Sequence, residues 1–63
     1  MAKELIETLY GKYGVYKVYR YPGNIVFGDS YKIEKDGKYW KNAKNPSHAV
    51  DLIKDYDPEA EAK

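Results

Sequence analysis

The sequence predicts an α+β domain: a four-stranded antiparallel sheet with two helices packed on one face, in the order α-β-β-β-β-α. Three observations lead there. Apolar residues recur at helical spacing near each end of the chain. Strong turn signals divide the middle into short segments. The register those turns impose sorts the middle residues into one apolar face and one tyrosine-lysine face.

The first element is a helix over residues 3–13. Leu5, Ile6, Leu9 and Tyr13 fall on one side at a 3.6-residue period. Gly11 and Gly14 suit its end, and Glu4 and Glu7 suit the positive pole of its start.

Strands follow over residues 15–42. Tyr21-Pro22-Gly23-Asn24 fits a type II turn, with proline presetting φ and glycine accepting a positive φ. Gly28-Asp29-Ser30 makes a three-residue loop, and Lys35-Asp36-Gly37-Lys38 carries the Asp-Gly hairpin signal. Together these turns set Val18 against Phe27, Phe27 against Tyr31, Ile25 against Ile33, and Ile33 against Trp40. One face then collects Tyr16, Val18, Ile25, Phe27, Tyr31, Ile33 and Trp40; the other collects Lys17, Tyr19, Tyr21, Val26, Lys32, Glu34, Tyr39 and Lys41. Arg20 falls on the apolar side beside a turn, where its long stem can carry the charge outward.

A second helix occupies residues 46–56. Asn45 is a good N-cap and Pro46 a good first helical residue. Ala49, Leu52, Ile53 and Tyr56 form its apolar stripe. Residues 1–56 therefore make one domain, and the acidic residues 57–63 read as a frayed C-terminal tail.

Composition bounds the function. A chain of 63 residues buries only about 60% of its unfolded surface. Without cysteine, neither a disulfide nor a thiolate metal site can staple it. The one histidine, His48, sits in the first turn of the second helix, where a solvated surface role is the ordinary one. Asp51 and Asp55 lie one helical turn apart and read as a solvated stripe. Neither a metal triad nor a phosphate-cradling glycine pattern is present, so the sequence predicts no cofactor, no metal and no catalysis. The longest aliphatic or Phe run, Ile25-Val26-Phe27, is far short of the roughly 20 residues that span a bilayer. Charges interrupt the N-terminus, and the expected location is the cytosol.

The formal net charge of +1 is unevenly spread. Residues 12–44 hold eight lysines or arginines against Asp29, Glu34 and Asp36, while residues 45–63 hold two lysines against five acids. The basic middle coincides with the tyrosine-lysine face. Lys17, Tyr19, Tyr21, Lys32, Tyr39 and Lys41 are the expected contact residues. Tyrosine is enriched at interface hot spots, so the first reading is a small non-enzymatic inhibitor or adaptor that docks a protein partner, or a second copy of itself. The second reading is nucleic-acid binding through the same face, aromatics stacking bases and lysines following phosphates. Against it stand a single arginine and near-neutral net charge.

The element order resembles the helix-strand-strand-strand-helix plan of double-stranded-RNA-binding folds, HicA-type ribonuclease toxins among them. The "KELI" segment is similar to the helix that leads into the strands of those toxins. The resemblance implies a catalytic histidine on a central strand. This chain carries "GNIVFG" there, so toxin activity is not implied. In size and layout the chain also looks like small phage-encoded inhibitors that block a host protein's surface.

Overall fold

The structure, a computed structural model, describes residues 3–23, 28 and 30–62. Four strands, β1 (Glu4–Tyr10), β2 (Val15–Tyr21), β3 (Ser30–Lys35) and β4 (Lys38–Ala43), precede one helix, α1 (Pro46–Tyr56). The strands form an antiparallel sheet in the order β1-β2-β3-β4.

The fold class is corrected at its first element. The segment expected to be an N-terminal helix is β1, so the order is β-β-β-β-α with a single helix among the described residues. Register explains the misreading. Leu5 pairs with Tyr19 and Glu7 with Val18, leaving Ile6 as the extra residue of a bulge. A regular strand puts residues three apart on opposite sides, and the bulge restores them to one side. Ile6 and Leu9 consequently both pack on the core, imitating a helical spacing. Local preference also favours the strand: Ile6 and Thr8 are β-branched, Tyr10 is aromatic, and a helix of this length is marginal alone. The KELI segment is likewise not helical, since Glu4–Ile6 lie in β1, and the likeness to the double-stranded-RNA-binding plan loses its first element.

The middle of the sheet also departs from the expected register. β2 pairs directly with β3, Val18 opposite Ile33 and Tyr21 opposite Ser30. Both partners of the Val18–Ile33 pair are fully buried. Ile33 faces Val18 on one side and Lys41 on the other, in place of Ile25 and Trp40. The expected strand through Ile25, Val26 and Phe27 and the end of the Pro-Gly turn at Asn24 lie outside the described residues. The Asp-Gly turn is found as expected: Lys35 pairs with Lys38, and Asp36 and Gly37 have φ of 53° and 84°. That pair of left-handed residues matches the right-handed twist of a hairpin.

Helix α1 forms where expected. Its N-cap Asn45 accepts the N–H of His48 at 2.8 Å, and the Lys44 N–H donates to His48 Nδ1 at 3.1 Å. Ala49 and Ile53 are buried against Leu9, Tyr16, Val18 and Ile33 of the sheet. Each large aliphatic side chain in this layer contributes about 1.5–3 kcal/mol by leaving water. Trp40 extends the layer, its ring centroid 5.5 Å from Tyr16 and 5.2 Å from Tyr56.

The chain after α1 is not a free tail. Asp57 is fully buried, Ala60 is buried, and Glu61 exchanges backbone hydrogen bonds with Tyr10 at 2.8 and 3.2 Å. The Asp57 carboxylate binds the β1–β2 turn. It accepts the Tyr13 N–H at 2.9 Å, the Tyr16 hydroxyl at 3.1 Å and the Glu59 N–H at 3.2 Å. Gly11 leaves the room: a Cβ there would come within 2.7 Å of the Asp57 Cγ. Burial pushes the carboxyl upward, but the backbone N–H groups of Tyr13 and Lys12, the Tyr16 hydroxyl and the Glu59 N–H outweigh it, and Asp57 titrates below its ordinary value of 3.8. Burial first, and the bond to Asp57 second, raise the Tyr16 phenol, which stays a donor at neutral pH.

A folded-state pKa below the unfolded one stabilises the fold above the unfolded pKa and is lost as pH falls through the folded one. The resistance of the wild type to urea should therefore fall as pH drops below about 4. Asp57→Asn should be less stable at neutral pH and should lose less on acidification. Equal acid sensitivity in both proteins would contradict the clamp. Truncating the core at Ile33→Ala should cost about 2–5 kcal/mol and removing the cap with Asn45→Ala about 1 kcal/mol, read from the same unfolding curves.

Candidate functional site

With α1 on one side, strand alternation sends the other set of side chains to the opposite face, which no helix or strand among the described residues covers. Two rows cross all four strands there. Leu5, Tyr19, Lys32 and Asn42 make one; Thr8, Lys17, Glu34 and Tyr39 make the other. Tyr21 stands beyond them, opposite Ser30. Tyr39 is 62% exposed and Leu5 49%. The lysines order the face. Lys3 Nζ lies 2.8 Å from Glu34 Oε2 and 4.2 Å from the Tyr19 ring centroid. The bond to Glu34 raises the Lys3 amine above its ordinary pKa. Lys32 Nζ lies 4.8 Å from the centroid of Tyr21. Cation–π contacts of this kind hold ring and amine in a fixed relation.

Five of the six residues expected from the sequence, Lys17, Tyr19, Tyr21, Lys32 and Tyr39, occur on this face. Lys41 stands apart. A bulge in the β3–β4 ladder leaves Trp40 as the extra residue and sets Lys41 opposite Ile33, its amine 4.8 Å from the Trp40 centroid. Lys3 and Leu5 belong to the face and were missed, because residues 3–13 read as a helix. Their signal was the alternation Lys3-Glu4-Leu5, which as a strand places Lys3 and Leu5 together. Arg20 is carried outward as its position suggested: its Nε and terminal nitrogen lie 3.0 and 2.7 Å from Glu4 Oε1.

Electrostatically the face is basic, with Lys3, Lys17 and Lys32 around Glu34. The opposite layer carries the exposed acids Asp51, Asp55, Glu59 and Glu61. His48 Nδ1 is engaged at the helix start. Among the described residues no group of three or more His, Cys, Asp or Glu side chains could hold a metal ion. No helix of the described chain is long and apolar enough to cross a membrane.

The arrangement is suited to non-covalent docking: rigid strands, amphipathic rings and positioned cations. Lys3→Met should shift the Tyr19 ring and Glu34 carboxylate resonances while leaving the urea midpoint close to that of wild type, because exposed ion pairs add little stability. Unchanged Tyr19 resonances would contradict the contact between Lys3 and its ring.

No protein-family model, curated protein or solved structure matches the chain.

Proposed function

We propose that the protein is a non-enzymatic binding module, an inhibitor or adaptor that docks an acidic surface of a cytosolic protein partner through the uncovered sheet face. The observation that carries this reading is the mosaic of Lys3, Glu34, Tyr19, Lys32 and Tyr21, in which amines rest on aromatic rings on a rigid, net-basic surface. Tyrosine held this way offers contact area at small entropic cost, and the lysines supply long-range attraction to an acidic partner. Tyr39 and Leu5 add exposed apolar area at opposite margins.

The same mosaic disfavours nucleic acid. Amines already sit over the Tyr19 and Tyr21 rings, so stacking a base would displace them, and Glu34 places a negative charge among the lysines.

Affinity capture with the full chain, followed by titration of the captured protein, tests the proposal. Lys17→Glu with Lys32→Glu should weaken a true partner roughly tenfold or more and steepen no other change, since two attractive charges become repulsive. Asp51→Lys with Asp55→Lys, on the opposite side, should leave binding intact. Loss of binding in the helix variant alone would overturn the reading. A labelled single-stranded oligonucleotide bound at low salt and released steeply as salt rises would replace it with nucleic-acid binding. A dimer in sedimentation that the Lys17/Lys32 variant dissolves would make the partner a second copy.

A further inference from the structure

A second surface lies along the open edge of the sheet. β1 is an edge strand, and backbone groups in an antiparallel ladder turn alternately toward and away from each neighbour. Val15 turns away from β1, since its N–H and C=O bond Asp36. Tyr16, Val18 and Arg20 therefore turn toward β1, where they oppose Leu9, Glu7 and Glu4. That leaves Leu5, Thr8 and Tyr10 with their backbone groups directed outward. At Tyr10 those groups are taken by Glu61. At Thr8 and Leu5 they face a groove of about 320 Å³ lined by Leu5, Ile6, Glu7, Thr8, Tyr10 and Ala62.

We propose that the β1 edge between Leu5 and Thr8 binds an extended peptide strand of a partner protein, with a basic residue of that strand set against Glu7. The proposal does not rest on the uncovered face. Two features define the occupant. The first is continuity: the chain's own segment around Glu61 already pairs with this edge at Tyr10 in antiparallel fashion, and an added strand continues the same line toward Leu5. The second is charge. Glu7 lines the groove half-buried, with no ion-pair partner among the described residues, whereas Glu4 is neutralised by Arg20. Leu5 and Tyr10, both exposed, flank the site and favour apolar side chains at alternate positions of the peptide. The bulge at Ile6 limits the pairing to a short stretch, which disfavours open-ended strand addition.

The test is a display selection of random nine-residue peptides on the full-length chain. Selected peptides should alternate apolar residues and carry a lysine or arginine at a fixed position. Their addition should slow hydrogen exchange at the Leu5 and Thr8 amides. N-methylation of alternate peptide amides should weaken binding roughly tenfold or more, because main-chain hydrogen bonds are lost. Glu7→Gln should weaken the basic peptides roughly two- to fivefold while leaving the fold unchanged by circular dichroism. Lys17→Glu with Lys32→Glu should leave peptide binding intact, which separates this site from the uncovered face. Failure to enrich any peptide overturns the proposal, as do peptides that map to Tyr19 or Tyr39 or that tolerate N-methylation. Protection of Leu5 and Thr8 that rises with protein concentration alone would assign the edge to a second copy and equally overturn it.

Discussion

A carboxylate buried at the end of a helix ties this small protein together. Asp57 ends α1, and its N–H reaches back to the Ile53 carbonyl at 2.7 Å. Its side chain meanwhile gathers donors from the β1–β2 turn and from Tyr16. One residue thus anchors the helix to the sheet, fixes the first turn, and starts the segment that returns to Tyr10. A buried charge without such donors would be costly; here every oxygen has a partner. Two glycines in the first turn make the room. Gly11 admits Asp57. Gly14, at φ 153°, admits Asp36, whose carboxylate accepts the Val15 N–H at 3.0 Å.

With the helix anchored on one side, the sheet is left two-faced. The covered side holds the aliphatic core and the buried ring of Tyr16. The uncovered side holds Lys3, Lys17 and Lys32 with Tyr19, Tyr21 and Tyr39. The bulge at Ile6 lets both Ile6 and Leu9 pack on the core, and Trp40, the extra residue of the β4 bulge, packs on the same layer. The chain thereby enlarges a core that its length would otherwise keep small. The displacement of Lys41 from the basic face follows from the second of these bulges.

Much of this was legible in the residues. Asn45-Pro46 and the following apolar stripe mark α1, because caps and helical period are local properties. Asp36-Gly37 marks the β3–β4 turn for the same reason. Parity along β2 and β3 separates Val18 and Ile33 from Lys17, Tyr19 and Lys32. What could not be read is what depends on distant partners. β1 looks helical because a bulge mimics the helical period. The segment Asp-Pro-Glu-Ala-Glu-Ala reads as solvated by composition, yet Asp57 finds its donors 41 and 44 residues upstream. Lys3 joins the candidate site only once β1 is a strand lying beside Tyr19.

The position of Trp40 has a spectroscopic consequence. It is the only indole in the chain, and its ring sits between Tyr16 and Tyr56 with the Lys41 ammonium nearby. Ultraviolet emission from this fluorophore should be fed by energy transfer from both phenols and should report on the seam where the last helical turn meets the sheet. A binder settling on the lysine mosaic would leave that emission dark to its arrival, whereas loosening of the C-terminal strap would change its colour and intensity.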